Sequence, residues 1–176
     1  MLFSMLFQTP RLMLTGADVA ILDADLAGRD SLQIALGVSV PEDWPPELLD
    51  PSALRWTREL LGRLPAYSPW RMYYVVLESP TRTLIGICGF KGAPDAEGQV
   101  EIGYSVLPAY QRRGFATEAA RALIGIALAC GAKAVIATTF PELTASVRVM
   151  EGCGLQYAGP GDEPGTVKYR LAFQSV

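Results

Sequence analysis

Between Glu101 and Arg121 the hydrophobic period changes from two to about four within a few residues. Glu101-Ile-Gly-Tyr-Ser-Val-Leu107 alternates as a strand does, and beyond Phe115 the apolar Leu123 and Ala127 recur at helical spacing. Gln111-Arg-Arg-Gly-Phe-Ala116 stands where the helix must begin. The first amides of a helix have no partner inside it, and the macrodipole makes that end positive. Such an end receives anions readily. Arg112 and Arg113 add charge, and Gly114 lets the backbone come close, so a diphosphate is the natural guest.

The rest of the chain suits a compact enzyme. Its 176 residues fit one domain with a sizeable core. Half are hydrophobic and 19% are charged, which opposes disorder. A net charge of -3 argues against a nucleic-acid surface and is compatible with cationic amines. The opening Met1-Leu-Phe-Ser-Met-Leu-Phe7 is too short to span a membrane and has no basic segment before it. A cytoplasmic protein without nucleic-acid or membrane partners is therefore expected. Met1-Leu-Phe recurs as Met5-Leu-Phe, which makes Met5 an alternative start.

There is no histidine. Ser-His-Asp and Cys-His nucleophilic systems are excluded, and so is histidine-based zinc catalysis; no metal is expected. The turn is neither a Walker A loop nor a Gly-x-Gly-x-x-Gly fingerprint. Proton transfer falls to a carboxylate, tyrosine, cysteine, lysine or water. Cys88, Cys130 and Cys153 lack paired spacing and read as small buried apolar residues in a reducing compartment.

Periodicity and breakers give a mixed α/β order. Strands are expected over 11–14, 71–78, 83–90, 99–106, 134–139 and 166–173. Helices are expected from Asp18, as a possible cap, to about Ala35, over 51–64, after the signature turn to about Gly131, and over 144–153. Val40 to Pro46 reads as a proline-bound loop and Gly159 to Gly165 as a hairpin loop.

Gln111-Arg-Arg-Gly-Phe-Ala116 resembles the acyl-coenzyme A signature of the GNAT N-acetyltransferases. Glu101-Ile-Gly-Tyr104 and Ala116-Thr-Glu-Ala119 are similar to the branch containing the ribosomal-protein N-terminal acetyltransferases. Thr9-Pro-Arg-Leu12 resembles that branch's opening strand, and Ala145 to Glu151 with Gly154-Leu155 its late helix and turn. Only the stretch from about Gly16 to Ser68 is thinly matched. The resemblance implies one GNAT domain over 1–176: a mixed sheet whose central strands splay, flanked by helices. It also implies acetyl-coenzyme A as cosubstrate and direct transfer to an amine, by a monomer or homodimer. The pantetheine arm would pair with backbone near Ser105, Val106 and Leu107, as an added strand does. The diphosphate would lie on Gln111, Arg112, Arg113, Gly114, Phe115, Ala116 and Thr117.

Glu101 reads either as a general base acting through water or as a hydrogen-bonded strand residue; alternation puts it on one face with Gly103 and Ser105. Tyr104, on the other face, reads as core. Ser146 matches a position that donates to the leaving sulfur in related N-terminal acetyltransferases, or else makes a helix-start hydrogen bond. Many relatives have asparagine where this chain has Leu143, and a tyrosine acid near Met150. An acceptor pocket is expected from the first two helices, their loop and the last hairpin. Trp44 beside Glu42 and Asp43 could bind an amine, with Tyr73, Tyr74 and Phe90 along the same groove, or these aromatics could simply be core. Two functions follow: an N-acetyltransferase acting on a protein N-terminus or small amine, or a sensor of the same fold that binds acyl-coenzyme A and transfers slowly or not at all.

Overall fold

The computed structural model describes residues 5–47, 49–65 and 67–174. In chain order the elements are β1 (Leu6–Gln8), β2 (Leu12–Gly16), α1 (Val19–Ala27), α2 (Arg29–Leu36), α3 (Pro51–Arg63), β3 (Met72–Leu77), β4 (Thr83–Phe90) and β5 (Gln99–Val106), then α4 (Phe115–Ala129), β6 (Ala134–Thr139), α5 (Thr144–Gly152), β7 (Gln156–Pro160) and β8 (Val167–Ala172). The strands form one sheet in the order β1-β2-β3-β4-β5-β6-β8-β7. The mixed α/β architecture expected from the sequence is borne out.

Strand β3 shows why the sheet lies in the middle. All six of its residues are buried, so both faces are covered. Tyr73 and Val75 join Leu12, Leu14, Ile102 and Leu123 beneath α4, while Tyr74 and Val76 join Leu22, Leu32 and Leu54 beneath α1 to α3. Period-two alternation thus sorts one strand into two cores.

Caps fix the helix starts. The Asp18 carboxylate accepts from the Ile21 amide at 2.8 Å, and Asp50 accepts from Ser52 and Ala53 ahead of Pro51. The helix expected from Asp18 to Ala35 is two helices. Gly28, at φ 124, breaks it: its N–H still closes α1 while its carbonyl opens α2 by accepting from Leu32. The short edge strand β1 lies in the apolar opening stretch, where no strand was expected. The terminal loop is also shorter than expected, because Gly159 and Pro160 belong to β7. Of the cysteines, Cys88 is buried, but Cys153 is only half-buried and Cys130 is exposed just past α4, so the expectation of three buried thiols fails.

Strands β5 and β6 matter most for function. They run parallel and pair only through Gln99–Ala134, Val100–Val135 and Glu101–Ile136. Beyond Glu101 the ladder stops while both strands continue, leaving a fork.

Candidate active site

The fork's geometry follows from the neighbouring ladder. The Lys91 amide donates to the Glu101 carbonyl at 2.9 Å, and the Leu107 amide to the Ile85 carbonyl at 2.8 Å. Antiparallel pairs alternate, so the main-chain groups of residues 101, 103, 105 and 107 are directed at β4. Those of Ile102, Tyr104 and Val106 are directed into the gap. Of the three residues expected to meet an amide-rich arm, Val106 therefore faces the fork, whereas Ser105 and Leu107 turn their backbone to β4. The Val106 carbonyl already accepts from Gln111 Nε2 at 3.0 Å, which ties the signature turn to the fork.

The turn carries two residues of positive φ within three positions. Arg112 adopts φ 57, a left-handed conformation uncommon for a side-chain-bearing residue, and Gly114 adopts φ 80. Amides presented this way form an anion-binding nest. Among the described residues no side chain caps α4, so the amides opening that helix are open to a guest. Arg112, Arg113 and Gly114 are exposed, Ala116 and Thr117 half-buried, and Phe115 buried in the α4 core. The Arg11 and Arg113 guanidinium groups lie 4.5 and 5.0 Å from the Phe115 ring centre.

A clamp holds this turn from behind. Glu118 accepts from the Thr9 hydroxyl at 2.6 Å, the Arg11 amide at 2.8 Å and Arg11 Nε at 2.6 Å. Arg11 Nη1 donates to the Arg113 carbonyl at 3.0 Å. Burial works to raise the Glu118 pKa, but these donors prevail and hold it below the ordinary value. A depressed carboxylate contributes stability above its unfolded pKa and loses it as pH falls through the folded one. Glu118→Gln is thus expected to destabilise the protein by roughly 2 kcal/mol at pH 7, since it leaves partly buried donors poorly matched. In urea melts the gap from wild type should close below about pH 4; a gap independent of pH would show that packing, not charge, holds the clamp.

Glu101 stands at the apex of the fork. Its carboxylate accepts from Lys91 Nζ at 2.5 Å and, across the opening strands, from the Thr138 hydroxyl. It shares a face with Ser105, whose row runs through Ile87 to Tyr74 on the α1-to-α3 side. Ser146, in the first turn of α5, lies on the opposite side. Its carbonyl and hydroxyl are 3.1 and 3.4 Å from the Tyr104 phenol oxygen. The two expected catalytic side chains therefore flank the fork from opposite faces.

The aromatic residues do not form one groove. Tyr73 is fully buried under α4 and donates to the Pro69 carbonyl at 2.7 Å; Phe90 packs edge-on against Trp70 in the same core. Trp44 is on the other face. Its indole N–H donates to Asp25 at 2.9 Å, and the Tyr74 hydroxyl donates to the other Asp25 oxygen at 2.8 Å. Burial raises the Asp25 pKa, with both hydrogen bonds opposing it. Glu42 and Asp43 are exposed. Asp25, Lys91 and Thr138 were not singled out from the sequence, since nothing local marks a residue whose partner is 10 to 49 positions away.

The chain matches the Acetyltransferase (GNAT) domain over residues 32–156. It belongs to the GNAT acetyltransferases. Among curated relatives, the uncharacterized N-acetyltransferase YjdG of Bacillus subtilis is 29% identical over 126 residues, covering 70% of this chain and 72% of that protein. In fold, this acetyltransferase is similar to RimL, a ribosomal L7/L12 α-N-protein acetyltransferase solved with coenzyme A, at a TM-score of 0.68 and 17% identity over 96% of this chain and 98% of that one. It is also similar to the ribosomal-protein-S5-alanine acetyltransferase of Vibrio fischeri, at a TM-score of 0.67 and 16% identity over 96% of each. No helix among the described residues of the acetyltransferase is long and apolar enough to cross a membrane.

Proposed function

We propose that this acetyltransferase takes acetyl-coenzyme A and acetylates a primary amine, on a protein N-terminus or a small molecule, by direct transfer in a ternary complex. The observation that carries the reading is the fork: Glu101 at its apex on one face, Ser146 on the other, and an uncapped helix start beside it. The residues present fit the cosubstrate. The nest from Arg112 to Thr117 suits a diphosphate, and the gap-facing groups of Ile102, Tyr104 and Val106 suit an amide-rich arm.

The bound thioester supplies an activated acyl carbon. Glu101, through a water molecule, takes the proton that an ammonium must lose before its nitrogen can attack. Backbone donors at the fork stabilise the charge that develops on the acyl oxygen. As the C–S bond breaks, Ser146 gives its hydroxyl proton to the departing sulfur and is reprotonated, through solvent, by the second proton that the nitrogen sheds on becoming an amide. The fold shared with RimL and the motifs at both ends of the chain favour a protein N-terminus among the acceptors. The likeness to RimL also supports a coenzyme site in the fork.

A binding protein of the same fold is the second reading. Met150 is buried in the core, 3% exposed, and Leu143 opens α5 without a side-chain cap, so two polar groups common in relatives are missing. Thiol release from acetyl-coenzyme A, measured over a panel of N-terminal peptides, amino acids, polyamines and amine drugs, separates the two. Turnover on one class supports transfer, and coenzyme binding without release on any class supports the sensor.

Leu143 offers a smaller test. It is 50% exposed, so Leu143→Asn sacrifices little packing. The substitution is expected to tighten coenzyme A by up to about 1 kcal/mol, one added hydrogen bond, in a calorimetric titration. A looser complex would detach this segment from the coenzyme.

A further inference from the structure

Strand β5 brings a phenol to the first turn of α5. Tyr104 packs its ring against the α4 core and extends its hydroxyl to the first turn of α5. There it lies within hydrogen-bonding distance of Ser146 twice, at the carbonyl and at Oγ. The Ser146 amide is separately held by the Leu143 carbonyl at 2.9 Å.

A serine in the first turn of a helix is free to turn its hydroxyl among rotamers and to bond back to a nearby carbonyl. A hydroxyl spent in that way is not available to a leaving group. The Tyr104 hydroxyl, donating to the Ser146 carbonyl, anchors this turn from outside the helix and sets its oxygen 3.4 Å from Oγ, where it fixes the serine rotamer. Tyr104 also sits on the strand whose gap-facing backbone borders the fork, so the position of Ser146 is registered directly to the cleft.

We propose that Tyr104 is a positioning residue for the transfer reaction, holding the Ser146 hydroxyl in place on the α5 side of the fork. Burial pushes the Tyr104 phenol up to about 12, so throughout the neutral range it stays protonated and able to donate to the Ser146 carbonyl, with its oxygen beside Oγ. Its work is orientation; the proton given to sulfur is that of Ser146. The inference rests on the reading of Ser146 given above, and a double-mutant cycle separates the failure of one from the failure of the other.

Tyr104→Phe removes one oxygen and keeps the ring, so the core stays filled. It is expected to lower kcat about tenfold and to leave coenzyme A affinity and Tm near wild type. Ser146→Ala should lower kcat by a larger factor. In the Ser146→Ala background, Tyr104→Phe should change kcat less than about twofold, because nothing remains to be oriented. The same tenfold loss in both backgrounds would overturn the proposal, since a core tyrosine acts whether or not the serine is present. So would an unchanged kcat for Tyr104→Phe alone beside a damaging Ser146→Ala. If Ser146→Ala leaves kcat unchanged, the role given to Ser146 falls first and that of Tyr104 with it.

Discussion

Gly114→Glu is expected to weaken acetyl-coenzyme A binding by at least about 100-fold in a calorimetric titration, a loss of roughly 2.7 kcal/mol. Three effects act together. A side chain at φ 80 costs on the order of 1–2 kcal/mol in backbone strain. A Cβ built there meets Arg11 Nη2 at 3.3 Å, so the clamp behind the turn must shift. A carboxylate then occupies a nest shaped for anions, and each charge-assisted hydrogen bond lost to a phosphate is worth about 1.5–3 kcal/mol. Gly114→Ala carries the strain without the charge and should fall between. Unchanged affinity in a folded Gly114→Glu protein would mean that the turn does not hold the coenzyme.

The second large effect is at the apex of the fork. Glu101→Gln keeps the shape of the side chain and removes its charge. Turnover near neutrality should fall roughly 10²-fold, within the usual range for one acid–base group, with coenzyme affinity nearly unchanged. The deficit should shrink as pH rises, because free amine then becomes abundant without help. Loss of the Lys91 ion pair should not confuse the result. Lys91 is more than half exposed, and such pairs contribute at most about 1 kcal/mol. If turnover at neutral pH is unaffected, Glu101 is a strand residue held by Lys91 and Thr138, and the amine arrives already deprotonated or loses its proton along another water path.

How much of this was legible beforehand differs by level. The strand, turn and helix from Glu101 to Ala129 could be read because their signals are local: a change of period and a glycine at the helix start. The caps at Asp18 and Asp50 differ in this respect, since only Asp18 was singled out, although both are local. The break at Gly28 was missed because helices tolerate isolated glycines and only its φ of 124 settles the matter. The fork was not legible from spacing at all. It depends on where a ladder between residues 99–101 and 134–136 ends, and it was expected only through family resemblance. Tyr104 is the sharpest case. Alternation correctly put it on the core face, yet its hydroxyl meets a residue 42 positions away. A periodic pattern assigns a ring to a face and cannot say what the atom at its tip will reach.

The short β5–β6 ladder also has a mechanical meaning. The sheet consists of two leaves, β1 through β5 and β6 with β8 and β7, joined along three residue pairs. Helix α4 packs across β2, β4, β5 and β6 and straps the leaves together. The two leaves are therefore held together both along the seam and by the strap. The clamp from Thr9 and Arg11 fixes the front end of that strap to the outer part of the first leaf. Thr9 and Arg11, on the outer edge of the sheet, thus reach the start of the helix that spans both leaves, and substitutions there are expected to be felt at the cleft.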